Sequence, residues 1–203
     1  MKQQILAILL SLTMIFTLVP TAMAADGESS GNCGATEADL VTWELTDDDG
    51  DGFYTLTISG TGAMADYNVG GNRAPWYNSL LQKGATTTAY SSKTFVNITK
   101  VVITGGVTHI GAYAFAYTTV SDIQIADGVT SIGKGAFLWA NWLKNITIPS
   151  SVTNMHYDNE KNEYYNIFDG TFYLESVEIS GTGSPYQVVQ GGVLVGPVQD
   201  KTD

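Results

Sequence analysis

The sequence predicts a β-rich solenoid of short parallel strands, joined by irregular or short helical turns and closed at its N-terminal end by a β-hairpin cap. Three observations predict it. A grammar of apolar positions returns at intervals of 22, 23 and 31 residues. Two alternating segments lie upstream of that array. A single cysteine leaves stability to packing, because one thiol cannot form an internal bridge.

The first element is a leader at 1–24. Lys2 precedes an uncharged apolar run from Ile5 to Val19, followed by Pro20 and the small-residue pattern Ala22-Met23-Ala24. This is the pattern of a secretory signal peptide cleaved after Ala24. The run is shorter than the roughly 20 residues that a bilayer core requires, so the expected mature chain is secreted and has no membrane span. Cys33 follows Ser30-Gly31-Asn32, which lacks the aliphatic residue of a lipoprotein anchor, and is expected to be a small buried side chain. Loss of Lys2 with the leader moves the formal net charge from −11 to −12. A chain this acidic is a poor partner for nucleic acid.

A head follows at 25–97. Val41, Trp43 and Leu45 alternate on one predicted strand, and Tyr54, Leu56 and Ile58 on another, the pattern of a half-buried hairpin. Its tip, Asp47-Asp48-Asp49-Gly50-Asp51-Gly52, resembles the first half of a calcium loop, with oxygen ligands at Asp47, Asp49 and Asp51 and then a glycine. The second half fails, since the position that needs a bidentate glutamate is Ile58. Asp and Gly clusters are also ordinary turn chemistry, so no metal is assigned and calcium is kept only as the weak alternative. Trp76 and Tyr77 are expected to seal the junction between head and array.

The array occupies 98–203 as about four units. Val101-Val102-Ile103 is answered by Ile123-Gln124-Ile125, Ile146-Thr147-Ile148 and Val177-Glu178-Ile179. After the first three strands a second set recurs: Val107, Val129 and Val152, then Ile110, Ile132 and Met155, then Phe115, Phe137 and Phe168. Each unit is too short to bury its apolar face alone and does so by stacking on its neighbours. Gly111 and Gly133, after the isoleucines, are expected to allow either positive φ or a close backbone approach. The third interval is lengthened by an insertion at 156–166, which carries Tyr157, Tyr164 and Tyr165. It is either a tolerated loop or a recognition loop, since tyrosine gives contact area at low entropic cost.

The motif apolar-x-apolar, then V-T-x-I-G-x-x-A-F in Val107–Phe115 and Val129–Phe137, resembles the BspA-type leucine-rich repeats of secreted and surface proteins of anaerobic bacteria. The resemblance implies a leucine-rich-repeat solenoid and an adhesive role. It departs from the family at Thr118, Ala140 and Thr171, where such repeats often carry cysteine.

No catalytic constellation is visible. His109 and His156 belong to no metal spacing, and H-E-x-x-H, C-x-x-C and G-x-S-x-G are absent; the reading is non-enzymatic, with no cofactor. The outward stripe of the strands, Val102, Gln124, Thr147 and Glu178, is the candidate binding face for an extracellular protein, together with the three loop tyrosines. Two alternatives stand beside it. One is a structural spacer without its own ligand; the other is a carbohydrate-binding module using exposed aromatics such as Trp139 and Trp142.

Overall fold

The computed structural model describes residues 29–89, 93–155 and 167–180, with the backbone of 187–189 and 193–195. The expected leader at 1–24 and the insertion at 156–166, with its three tyrosines, lie outside the described residues. The described chain is strand-rich, with one short helix, and its main sheet is mixed.

The head begins with β1 (Ser30–Asn32), β2 (Leu40–Thr46) and β3 (Tyr54–Ala63), paired antiparallel in that order. Alternation decides its faces. Trp43 lies opposite Ile58 and Leu45 opposite Leu56, and these four side chains are buried together with Val41. β3 then serves two ladders, its first half running parallel to β6 (Ile98–Ile103) and its end parallel to β7 (Val107–Ile110). One long strand thus joins the antiparallel hairpin to the parallel array, which is why the sheet is mixed.

Between head and array runs the helix α1 (Pro75–Lys83), which the strand-based reading did not foresee. Its start and stop are nonetheless written locally. Pro75 sits in the first turn, where its missing N–H is no loss. Gly84 ends the helix in the left-handed conformation at φ 71, its N–H reaching the carbonyls of Leu80 and Leu81. Trp76, Tyr77 and Leu80 face inward and are buried. A short antiparallel pair, β4 (Thr86–Ala89) and β5 (Lys93–Val96), leads into β6.

The repeat register follows the apolar grammar. β6 pairs parallel with β8 (Asp122–Ile125), setting Val101 against Ile123 and Ile103 against Ile125. β10 (Asn145–Ile148) pairs with β12 (Ser176–Ile179), setting Ile146 against Val177. A second parallel ladder runs from the end of β3 through β7 and β9 (Ser131–Ile132) to β11 (Asn154–Met155). β13 (Gln187–Val189) and β14 (Val193–Val195) pair antiparallel near the C-terminus.

The first ladder is interrupted between β8 and β10, and one cause is visible in the bonds that flank it. Thr104, Ala126 and Ser180, each just after its strand, donate N–H to Ile58, Ile103 and Ile148 of the preceding strand. The equivalent residue after β10 is Pro149, which has no N–H to give Ile125. Gly111 and Gly133 resolve to close approach and not to positive φ: a Cβ on Gly111 would run into the Ala65 carbonyl, and one on Gly133 into the Ala112 backbone.

The core is one cluster with an aromatic spine. Phe115, Phe137 and Phe168 are fully buried, with successive ring centroids 5.4 Å apart and interplanar angles of 23° and 10°. Trp76 extends the column at its head end, 6.0 Å from Phe115 at 22°, and its indole N–H donates to the Ala114 carbonyl at 2.9 Å. Head and array therefore share one stack. At two of the three positions where such repeats often carry cysteine, Thr118 and Thr171 are buried and donate their hydroxyls to the carbonyls of Phe115 and Phe137.

Cys33 is 4% exposed with no disulfide partner among the described residues, and burial pushes its thiol up to about 12 from an ordinary 9.0. The thiolate is the reactive form, so a thiol reagent at about pH 8 is expected to modify the chain only after denaturant is added. Modification of the folded protein as fast as the unfolded would show the burial to be wrong. Since the folded value exceeds the ordinary one, the stability tied to the neutral thiol is complete below pH 9.0 and is lost as pH rises towards 12.

Candidate functional site

The predicted outward stripe lies on the surface side of the first ladder. Gln124, Thr147 and Glu178 are exposed and Val102 is half-buried. The register brings them together in two pairs, Val102 beside Gln124 and Thr147 beside Glu178. The flanking positions tie those pairs from strand to strand: Lys100 Nζ lies 3.3 Å from Asp122, and Ser176 Oγ donates to Asn145 Oδ1 at 2.7 Å. The pairs sit on either side of the interruption at Pro149. The face is a short platform carrying both charge signs.

At the hairpin tip, ligand-capable oxygens of Asp47, Asp49 and Asp51 lie within 4.8 Å of one another. Those carboxylates also serve the turn itself. Asp47 accepts from the N–H groups of Gly50 and Gly52, Asp49 from Asp51, and Asp51 from Phe53. Such local bonds are what Asp-rich turns make without a metal.

One alignment escaped the sequence reading. His109 Nδ1 lies 2.7 Å from Ser131 Oγ, and His109 Nε2 lies 3.2 Å from Asp66 Oδ1, which also accepts from Ala112 N–H at 2.7 Å. Asp66 stands 43 residues before His109, on the loop after β3, so no short motif announces it. The three residues resemble a nucleophile, base and orienter in line. Ser131, however, stands in the face of a parallel ladder and not on an exposed elbow, and Asp66 is largely exposed to water. The group clamps the head loop to two repeats.

The turn edge of the array carries its most unusual backbone. Tyr113, Tyr117 and Trp139 hold φ of 53°, 58° and 60°, a left-handed conformation that costs a bulky residue about 1–2 kcal/mol. Neighbouring repeats use glycine at the same places: Gly135, at φ 59, answers Tyr113, and Gly170, at φ 71, answers Tyr117 and Trp139. The rings use the space those glycines leave. Tyr113 lies over Gly135, and a Cβ on Gly170 would come within 2.8 Å of the Trp139 indole.

Two cations cover this edge. The Arg73 guanidinium lies 4.3 Å from the Tyr77 ring centroid and 5.6 Å from that of Tyr117. Lys93 Nζ lies 4.9 Å from the Tyr117 ring centroid and 4.6 Å from that of Trp139, and donates to the Tyr117 hydroxyl at 3.1 Å. Of the aromatics proposed for carbohydrate, Trp139 is half-buried, with Phe172 edge-on at 5.4 Å, and Trp142 is 42% exposed, packed edge-on against Phe95. The sequence signal for this edge was Tyr113 and Tyr117 on either side of Phe115 and Trp139 after Phe137, legible only once the turn conformation is known.

Among the described residues no helix is long and apolar enough to cross a membrane. The BspA type leucine rich repeat region matches residues 86–182 in six copies, where strand spacing reads about four units from residue 98. Among solved structures the chain is similar to a leucine-rich repeat protein from Eubacterium ventriosum, at 24% identity and a TM-score of 0.41. The likeness covers 82% of this chain and 48% of that one, so the chain spans about half the length of that protein. It is also similar to a leucine-rich repeat protein from Bacteroides capillosus, at 26% identity and a TM-score of 0.36, covering 76% of this chain and 100% of that one. No curated protein matches the chain. The repeat grammar, the parallel register and the family match agree on residues 86–182, which form a BspA-type leucine-rich-repeat region.

Proposed function

We propose that this chain is an exported, non-catalytic interaction module that acts outside the cell in adhesion to host or neighbouring-cell proteins. It is built as a leucine-rich-repeat solenoid whose first turn is covered by the head at 25–97. The observation that carries the reading is the placement of Gln124, Thr147 and Glu178 on the exposed side of short strands whose other side, Ile123, Ile146 and Val177, is buried in the core that also holds the phenylalanine spine. A rigid support of this kind holds contact residues in place, which lowers the entropy lost when a partner binds. The inserted tyrosines, Tyr157, Tyr164 and Tyr165, are proposed to extend the same contact.

The test is binding of the purified chain to paired arrays of extracellular-matrix proteins and glycans. A protein hit is expected, weakened about tenfold or more when Gln124, Thr147 and Glu178 are all changed to alanine, as for loss of central interface contacts. A protein hit indifferent to that triple change would remove the stripe as the site. Silence on the protein array would overturn the adhesive reading in favour of a spacer.

A further inference from the structure

We propose that the outer face of the head hairpin, continuous with the first two repeat strands, docks a basic protein surface, one rich in lysine and arginine. The inference rests on the adhesive reading above and names its partner. It makes the head a contact element and not only a cover.

Register is the first support. β2, β3, β6 and β8 are successive neighbours in one sheet, and their pairing sets Glu44 beside Thr57, Thr57 beside Val102, and Val102 beside Gln124. β1 adds Ser30 beside Glu44. Residues paired across strands share a face, so these five form one row, about 19 Å long at the usual spacing between strands. A second row runs through Thr46, Thr55, Lys100 and Asp122. The alternate residues Trp43, Leu45, Leu56, Ile58, Val101 and Ile123 are buried beneath. Glu44 and Gln124 are exposed, with Thr57 and Val102 half-buried between them. Neither row is broken, whereas the ladder towards Thr147 and Glu178 stops between β8 and β10. The widest unbroken platform therefore lies on the head side.

Charge chooses the partner. Residues 25–72 hold ten acidic residues and no lysine or arginine, whereas residues 73–203 hold ten acidic and eight basic ones. The acidity of the chain is thus concentrated in the head. Within the two rows the one cation is Lys100, already 3.3 Å from Asp122, and Glu44 has no ion-pair partner among the described residues. Beyond Thr46 the hairpin tip adds Asp47, Asp48, Asp49 and Asp51 at the same end of the face. A cationic partner gains from this potential and an acidic one is repelled. The hydroxyl oxygens of Thr46, Thr55 and Thr57 can accept from ammonium and guanidinium N–H groups. Neither row contains an aromatic ring, so the face offers a sugar no surface on which to stack.

The experiment is calorimetric titration of the full chain with a decalysine peptide, repeated on single variants whose unfolding midpoints are measured alongside. Glu44→Lys and Glu37→Lys change the net charge equally and both positions are exposed, but Glu37 lies in the loop between β1 and β2 and not in a row. The parent is expected to bind decalysine. Glu44→Lys and Thr57→Lys should each weaken that binding about tenfold or more, as when a like charge is set opposite the partner's. Glu37→Lys should weaken it less than about twofold, since a remote exposed charge is screened. The inference fails if decalysine does not bind, or if the folded row variants bind as the parent does. It fails also if Glu37→Lys costs as much as Glu44→Lys, which would reduce the attraction to net charge. The matrix-protein array separates the two readings: silence there overturns adhesion itself, whereas hits that Glu44→Lys leaves unchanged overturn this inference alone.

Discussion

Phe137→Ala is expected to destabilise the chain by about 3–5 kcal/mol, the range for truncating a large aromatic in a core that cannot fully collapse. The ring is the middle member of the spine, 5.4 Å from Phe115 on one side and from Phe168 on the other, and is fully buried. Its removal leaves two stacked partners facing a void at once. The backbone around it has little room to close that void, since Phe137 N–H is tied to the Ile167 carbonyl and its own carbonyl holds Thr171 Oγ. Against a typical total of about 5–15 kcal/mol, this is a large fraction. Equilibrium urea unfolding is the measurement, and a loss under about 1 kcal/mol would mean that the repeat register is wrong.

Trp76→Ala should be of comparable size, about 3–5 kcal/mol, for a different reason. Trp76 is the point where the head enters the spine: it stacks on Phe115, meets Trp43 at 6.0 Å and Tyr67 at 5.6 Å edge-on, and bonds to the Ala114 carbonyl. Alanine removes all four contacts. Trp76→Phe keeps a ring in the stack and loses chiefly the hydrogen bond, so a smaller loss of about 1–2 kcal/mol is expected. If Trp76→Ala left the unfolding curve unchanged, the head would not be joined to the array through this residue. Equal losses for the two variants would place the energy in the bond and not in the packing.

Much of this architecture was legible before the structure because an apolar period reports burial directly. Val101, Ile123, Ile146 and Val177 recur because each must face the same core, and the alternation of Val41, Trp43 and Leu45 states which side of the hairpin is covered. Residues facing water carry no such constraint. The outward stripe could therefore be placed by subtraction, while its use stays a proposal. The helix α1 was missed although Pro75 and Gly84 bracket it, because Trp76, Tyr77 and Leu80, its large inward side chains, make a short signal over nine residues that reads equally well as a loop.

By itself the sequence determined the repeat period, the inward positions, the hairpin and the column of phenylalanines, all set by local spacing and the need to hide apolar surface. Tertiary structure alone decided which distant groups meet. Arg73 and Lys93 reach one tyrosine ring because α1 and the β4–β5 pair fold both back onto the turn edge. Asp66 meets His109 across two elements, and Pro149 interrupts a ladder only in a register where Ile125 awaits an N–H. The physical reason is the same in each case: spacing along the chain specifies what one unit buries, and only the stacking of units specifies which exposed atoms become neighbours.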